Sequence, residues 1–202
     1  MAVRVSFFID GFNLYHSLKQ FTPECRWLDL YKLCESFLKE DECIENIYYF
    51  TALSWNKYKA DKHKLYIRAL RTRGVIPVYG KFKNVQKHCN LCGQYYETHE
   101  EKRTDVNIAM GLFEDGMKDM YDKAVIISAD SDLIPPIEKL QENFPVKKIG
   151  VIAPMGRRAK ELKEVADFFS KIDKKRLESC CFPKVLELAD GNILAPERWL
   201  NS

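Results

Sequence analysis

Short apolar segments alternate with longer segments of helical periodicity along most of the 202-residue chain. The apolar segments are rich in β-branched and aromatic residues, which favours buried strands. Between them, apolar residues recur at a spacing of three or four, as in Leu30, Leu33, Phe37 and Leu38, which is typical of amphipathic helices. Strands alternating with helices predict an α/β fold with a mainly parallel, buried sheet. The predicted strands are 3–10, 46–53, 75–80, 123–129 and 146–154.

The helical segments lie between and after these strands. In the helix predicted over 104–121, four apolar side chains share one face: Val106, Met110, Phe113 and Met117. We find no internal repeat and no interdomain linker, so residues 1–202 are predicted to form a single domain. The predicted helices are 29–40, 59–74, 104–121, 132–143 and 156–169.

Two segments interrupt the alternation. Residues 80–101 are polar and contain a Cys-x-x-Cys pair, which predicts an inserted hairpin or a zinc knuckle. Residues 180–202 are predicted as a C-terminal extension, with a turn at Asp190-Gly191 that joins a small hairpin.

The composition excludes several classes of protein. No apolar run approaches the roughly 20 residues of a membrane span, and the amino terminus does not have the pattern of a signal peptide. Seven scattered cysteines argue against a secreted disulfide framework, so we expect reduced thiols and a cytoplasmic protein. The net charge of +3 is too small to indicate nucleic-acid binding by itself.

Two of the predicted strands end in aspartate, Asp10 after the first and Asp130 after the fourth. Ligands of parallel sheets bind beyond the carboxyl ends of the strands, where these carboxylates are expected to converge. Carboxylates in such a cluster repel each other unless a hard cation such as Mg²⁺ or Mn²⁺ binds between them.

Each acid of this region also has a structural interpretation. Asp10-Gly11 is a common turn dipeptide. Asp105 lies in the first turn of a helix, where the helix dipole favours negative charge. Asp132 precedes a Pro-containing first turn and is predicted to be its N-cap, a role that does not exclude metal binding.

Three motifs together resemble the NYN domains, a branch of the PIN-like nucleases, and specifically the LabA-like group. They are "FFIDGFNLYH", "HEEKRTDVNIAMGL" and "AVIISADSDLIPPI", and the resemblance covers residues 3–153. It implies a Rossmann-like three-layer α/β/α sandwich with an acidic pocket at the carboxyl edge of the sheet.

The resemblance also implies which residues act. The family's acidic cluster falls on Asp10, Asp105, Asp130 and Asp132, as catalytic residues and ligands of Mg²⁺ or Mn²⁺. Asn13 is implied to orient a ligand or the phosphate. The implied function is a divalent-metal-dependent nuclease that hydrolyses phosphodiester bonds, with RNA as the expected substrate. Lys102 could offset phosphate charge, but an exposed, solvated lysine is the preferred interpretation.

Two other functions stay open at this point. An Asp-x-Asp motif also holds the metal-bound diphosphate in nucleotidyl-sugar transferases, but the motif around Asp10 does not support that class. The other alternative is a non-catalytic RNA-binding or scaffold module. The sequence does not indicate an oligomeric state and leaves a homodimer open.

Basic residues cluster in the middle of the chain. Basic side chains among aromatic ones suit a single strand of RNA, through phosphate contacts and base stacking. The alternative is a solvated helix face with core aromatics. The residues concerned are Lys59, Lys62, Lys64, Arg68, Arg71 and Arg73 of the basic helix, and then Lys81, Lys83 and Lys87 among Tyr79, Phe82, Tyr95 and Tyr96.

The Cys-x-x-Cys pair suggests a structural zinc ion, because thiolate and imidazole are its usual ligands. We expect Cys89, Cys92 and His99 as ligands, with His88 as the candidate for the fourth. The alternative is a β-hairpin that carries reduced cysteines without metal.

Overall fold

Six parallel strands form the central sheet in the computed structural model, which describes residues 2–188 and 191–200. Four further strands form two small antiparallel pairs. In chain order the strands are β1 (Val3–Asp10), β2 (Glu42–Thr51), β3 (Ile76–Tyr79), β4 (Lys81–His88), β5 (Tyr95–Lys102), β6 (Lys123–Ile127), β7 (Lys148–Ala153), β8 (Phe168–Lys171), β9 (Val185–Leu186) and β10 (Ile193–Leu194).

Eight α-helices of the described residues connect or follow these strands, and short 3₁₀ helices lie at Pro23–Arg26 and Ser131–Leu133. The α-helices are α1 (Gly11–Phe21), α2 (Leu30–Glu35), α3 (Lys57–Arg71), α4 (Thr104–Met117), α5 (Ile134–Asn143), α6 (Lys160–Val165), α7 (Lys174–Ser179) and α8 (Glu197–Leu200). No helix of the described residues is both long enough and apolar enough to cross a membrane.

The central sheet has the order β3-β2-β1-β6-β7-β8. From β1 the chain proceeds to β2 and β3 on one side and returns to β6, β7 and β8 on the other. The strand order therefore reverses between β1 and β6, and this is where a crevice opens at the carboxyl ends of the strands. Ile9 of β1 pairs with Ile127 of β6, so the two strands end side by side.

Apolar side chains cover both faces of the sheet. Along β1, Phe7 and Ile9 belong to one buried cluster, whereas Phe8 belongs to the other, as strand alternation requires. The first cluster includes side chains of α1, α2 and α3, and the second includes side chains of α4, α5 and α6. The Rossmann-like α/β fold predicted from the sequence is thus confirmed, with helices on both faces of a parallel sheet.

The segment that interrupts the alternation is a hairpin. Strands β4 and β5 pair antiparallel from Lys81–Lys102 to His88–Tyr95, apart from the central sheet. Near the end of the chain, β9 and β10 also pair antiparallel. Of the turn predicted there, Asp190 lies outside the described residues.

The structure adds one helix that was not predicted and corrects the limits of two others. Helix α1 lies where no element was predicted, because Asp10-Gly11 was interpreted as a turn. Helix α2 ends at Glu35 and does not continue to residue 40. In the helix predicted over 156–169, only Lys160–Val165 is α-helical, and the phenylalanines that followed its periodicity lie in β8. There the ring of Phe168 lies over Gly150 of β7. Any side chain at position 150 would occupy the space of that ring.

Of the four residues on the predicted apolar face of α4, Phe113 packs against the core and the other three do not. Val106, Met110 and Met117 are exposed, whereas Ile108 and Leu112 are fully buried. The helix is therefore rotated relative to the prediction, and its buried stripe begins at the first helical turn.

Gly11 permits the tight approach of α1 to β2. A Cβ atom at this position would lie 2.5 Å from the backbone oxygen of Phe50 and 2.7 Å from the ring of Tyr49. A side chain there would therefore push the start of α1 away from the sheet.

We predict that Gly11→Ala lowers the free energy of unfolding by about 1–3 kcal/mol, as overpacking usually does. Gly111→Ala is the matched control, because its Cβ would meet ring atoms of Phe50 and Phe8 at ordinary distances of 3.5 and 3.6 Å. Alanine is also favoured over glycine inside a helix by up to about 1 kcal/mol. Urea unfolding measures both variants, and equal stabilities would contradict the close-approach argument.

Candidate functional site

Asp10 ends β1 and caps α1 at the same time. Its Oδ1 accepts hydrogen bonds from the backbone N–H groups of Phe12 at 3.1 Å and Asn13 at 3.0 Å. Its Oδ2 accepts a hydrogen bond from the Ser128 hydroxyl at 2.9 Å. The carboxylate is buried, and this desolvation raises its pKa although the three hydrogen bonds oppose the shift.

Ser128 connects the two strand-end aspartates. Besides donating to Asp10, its Oγ accepts a hydrogen bond from the backbone N–H of Asp130 at 3.1 Å. The Asn13 side chain adds a second link, because its Oδ1 accepts from the backbone N–H of Ala129 at 3.2 Å. The end of β6 is thereby fixed against the start of α1.

Asp105 reaches the same place from the first turn of α4. Ligand oxygens of Asp10, Asp105 and Asp130 all lie within 4.8 Å of one another. Burial raises the pKa of Asp105 to about 6, and the negative charges of Asp10 and Asp130 add to the shift. Three carboxylates this close form a site that favours a cation.

The pocket around these acids also contains a fourth carboxylate and several groups of other chemistry. Glu101, at the end of β5, accepts a hydrogen bond from the backbone N–H of Thr104 at 3.2 Å and a second from its hydroxyl. It thus caps α4, whose preceding residue Arg103 has a left-handed backbone and offers no side-chain cap. The pocket is lined by Asp10, Phe12, Asn13, His16, Glu101, Thr104, Asp105, Asp130 and Arg157.

Arg157 is the cationic side chain of this lining. It lies in the loop after β7, which α1 holds in place: the Ser17 hydroxyl donates to the backbone oxygen of Met155 at 2.7 Å. The Nε of Arg157 is buried and has no hydrogen-bond partner in the described part of the chain. A buried N–H donor without a partner is costly, and a ligand with an oxygen acceptor would satisfy it.

His16, on α1, completes the polar wall. Burial lowers its pKa, and the positive charges of Arg157 and Lys19 lower it further. The ring is therefore neutral near pH 7 and can both donate and accept a hydrogen bond.

Asp132 does not have its predicted role as a helix cap. The capping residue is Asp130, whose Oδ1 accepts from the backbone N–H of Asp132 at 3.1 Å at the start of the 3₁₀ helix. Helix α5 begins after Leu133 without a side-chain cap. Asp132 itself is exposed and lies outside the group of three close carboxylates, although its charge contributes to the raised pKa of Asp105.

The structure does not bring the predicted substrate-binding cations to the pocket. Lys102 forms an ion pair with Glu100 at 2.8 Å. Arg68 and Arg71 lie in the last turn of α3, which runs back from the carboxyl edge of the sheet. Of the predicted substrate residues, Asn13 lines the pocket.

The four predicted zinc ligands are also spread along the hairpin. Cys89 and Cys92 lie in the turn between β4 and β5, where the backbone N–H groups of Cys92 and Leu91 and the Cys92 thiol lower the pKa of Cys89. His88 contacts Tyr95 beside the turn, but His99 lies further down β5 and stacks on Trp55. His99 is thus not assembled with the cysteines, and a zinc ion at the turn stays a prediction.

Sequence reasoning missed four residues that build the pocket: Ser128, His16, Glu101 and Arg157. Ser128, His16 and Glu101 stand inside the three motifs, Ser128 two residues before Asp130 and Glu101 four residues before Asp105. Glu101 and Arg157 reach the pocket through loop and hairpin geometry, for which the sequence contains no local pattern.

The pKa of Asp105 tests this geometry in the metal-free protein. We predict that Asp130→Asn lowers it from about 6, because one of the neighbouring negative charges is removed, and that it stays above 3.8 because burial remains. Carboxyl carbon chemical shifts measured by NMR across a pH titration give the value. An unchanged pKa would contradict the close approach of the two carboxylates.

Three comparisons relate this chain to known proteins. The model of the NYN domain family matches residues 4–173. The 6-hydroxy-3-succinoylpyridine 3-monooxygenase HspA of Pseudomonas putida is 25% identical, and the alignment covers 98% of this chain and 75% of that protein. A protein of unknown function from Vibrio parahaemolyticus has a similar crystal structure, with a TM-score of 0.61, 18% identity, and coverage of 86% of this chain and 94% of that one.

The structural likeness concerns the fold alone, whereas the family match extends over most of the chain. The LabA-like group stays a prediction. The chain belongs to the NYN domain family, a nuclease-like family that acts on nucleic acid and generally uses divalent metals.

Proposed function

We propose that this protein is a divalent-metal-dependent nuclease that hydrolyses phosphodiester bonds in RNA. The observation that supports this most is the group of Asp10, Asp105 and Asp130, with ligand oxygens within 4.8 Å of one another. Beside them, a buried guanidinium N–H of Arg157 lacks a partner among the described residues. Anionic oxygens next to a cationic donor suit a phosphate that is bound together with a metal ion.

The residues of the site fit Mg²⁺ or Mn²⁺. All three acids offer carboxylate oxygen, the ligand type that these hard cations prefer. Burial raises the pKa of Asp105, and the neighbouring charges of Asp10 and Asp130 raise it further; a bound cation would relieve this repulsion. We propose Asp10, Asp105 and Asp130 as ligands, and Asp132, exposed at the rim, as a residue that acts through water.

A bound divalent ion would lower the pKa of a water molecule that it coordinates and would neutralise charge on the phosphate. The protein's own groups hold the reactants in place. Hydrogen bonds to Ser128 and to the start of α1 fix the Asp10 carboxylate, so its orientation does not depend on the substrate. Arg157 is placed to bind a phosphate oxygen, and neutral His16 to donate or accept a hydrogen bond on the same wall of the pocket.

Two other functions compete with this proposal. A non-catalytic RNA-binding module would use the same pocket without cleavage, and the assay below distinguishes it. The name of the Pseudomonas putida relative describes oxidation of a pyridine compound by that protein. Four of the nine residues that line the pocket carry a carboxylate, which attracts cations rather than organic anions, and this favours the nuclease.

We predict that Asp10→Asn and Asp130→Asn each reduce cleavage of labelled RNA, with Mg²⁺ or Mn²⁺ present, by more than about 100-fold. The loss of a ligand should exceed the 10- to 100-fold effects typical of outer-shell residues. Asp132→Asn, outside the close group, should reduce cleavage by about 10-fold. EDTA should abolish cleavage by the unmodified protein.

The matched control is Asp173→Asn. Asp173 caps α7 through the backbone N–H of Arg176 at 2.8 Å, as Asp130 caps the 3₁₀ helix, and asparagine caps equally well. It lines no part of the pocket, so cleavage should be unchanged. Cleavage that persists in EDTA and in Asp130→Asn would exclude the metal-dependent mechanism. RNA binding without any cleavage would favour the binding module. Cleavage of DNA but not of RNA would identify DNA as the substrate.

Arg157→Gln tests phosphate binding separately from metal binding. A hydrogen bond to a charged group contributes about 1.5–3 kcal/mol, so kcat/KM should fall about 10- to 100-fold. The metal concentration that gives half-maximal cleavage should change little. Arg158→Gln is the control, because this neighbouring side chain is exposed and does not line the pocket. Equal activity of the two variants would remove Arg157 from the mechanism.

A further inference from the structure

The register of the hairpin divides its side chains between two faces. Because Phe82 pairs with Glu101 and Asn84 pairs with His99, these four side chains share one face. Glu101 lines the acidic pocket, so this face of the hairpin continues the pocket wall. The opposite face has Lys81, Lys83, Lys87, Tyr96 and Lys102.

Four aromatic rings connect the pocket to the hairpin. The ring of Phe12, in the pocket, contacts Phe82 with 5.6 Å between the ring centroids. Phe82 contacts Trp55 at 5.2 Å, and Trp55 stacks on His99 at 3.7 Å with an interplanar angle of 4°. We call these four residues the aromatic row.

Trp55 is the exposed member of the row. Its fractional exposure is 56%, compared with 1% for Trp27 in the core. One face of the indole covers the imidazole of His99, and so much exposure leaves the other face open to solvent. A large open aromatic surface beside a polar pocket is typical of a binding site rather than of core packing.

Positive charge lies at both ends of the row. Lys57 and Lys59 follow Trp55 at the exposed start of α3, and Arg157 lies across the acids on the side of β7. Because the sheet order is β2-β1-β6-β7, the aromatic row, the acids and Arg157 occupy successive positions along one edge. A polyanionic strand laid along that edge would meet an open ring, the metal ligands and a cation in turn.

We propose that the aromatic row stacks the base of an unpaired nucleotide next to the scissile phosphate, so that the substrate is single-stranded RNA. This inference rests on the proposed function. Each base has a π face that an aromatic side chain can cover, but in a duplex these faces are covered by neighbouring base pairs. The lysines of the opposite hairpin face contribute less, because Lys87 and Lys102 are paired with Glu100.

The test uses the intact chain carrying Asp130→Asn, together with Mg²⁺ and short RNA oligonucleotides. This substitution removes one repelling charge and is expected to prevent cleavage during the measurement. Trp55 is the exposed tryptophan of the three in the chain, so stacking should quench tryptophan fluorescence. Single-stranded RNA should quench it, and the same sequence in a duplex should not. Adding Trp55→Ala should weaken binding, measured by fluorescence polarisation of labelled RNA, by about 10-fold or more.

Two variants on the same background serve as controls. Trp55→Phe keeps a ring for stacking and should bind RNA within a few-fold of its parent, but without the quenching. Tyr96→Ala removes an exposed aromatic ring from the opposite face of the hairpin and should leave binding unchanged. Circular dichroism confirms that each variant is folded.

The outcomes separate this inference from the proposed function. Equal RNA affinity in Trp55→Ala and its parent would overturn the aromatic row, even if the unmodified protein cleaves RNA. Equal quenching by duplex and single strand would overturn the preference for single strands. Quenching by single strands together with an absence of cleavage by the unmodified protein would support the row and reject the nuclease. No binding of RNA in any form would overturn both.

Discussion

The hydrogen bonds of the buried Asp10 carboxylate determine how the whole site is arranged. Oδ1 holds the first backbone N–H groups of α1, and Oδ2 holds Ser128 at the end of β6. Because α1 starts at this carboxylate, Asn13 and His16 face the pocket, and Ser17 reaches the loop that carries Arg157. One capping interaction thus connects strand ends on both sides of the point where the strand order reverses.

Two of the acids proposed as metal ligands also have a structural role. A carboxylate that caps a helix has its charge partly compensated by backbone N–H groups, so it can be buried at lower cost. Asp10 and Asp130 both cap a helix. Asp105 lies inside the first turn of α4 and does not cap it, and its pKa is raised to about 6. Repulsion between the carboxylates contributes to the raised pKa of both Asp10 and Asp105. In the proposed metal site, relief of that repulsion would supply part of the affinity for a cation, and the caps would keep the ligands in place before it binds.

The sequence predicted the sheet better than the helices. Runs such as Val3–Asp10 are buried on both faces and have few alternatives, so β1 was predicted to the residue. Helix α1 was missed because its first residues, Asp10-Gly11, also form a common turn, and only the close approach to Phe50 shows why glycine is there. Capping was assigned to Asp132 rather than Asp130 because a shift of two residues depends on backbone angles that the sequence does not display. Arg157 could not be predicted, since its position depends on a loop held by another helix.

The distribution of charge on the hairpin shows why composition says little about how nucleic acid would be recognised. In the sequence, Lys81, Phe82 and Lys83 read as one mixed basic and aromatic surface. Strand alternation places the ring of Phe82 toward the pocket and both lysines on the opposite face. A small net charge is then compatible with a specific site, because the groups that matter are few and lie along one edge of the sheet. Recognition by a ring stack and a buried guanidinium depends on geometry, and geometry is set by register rather than by the number of lysines.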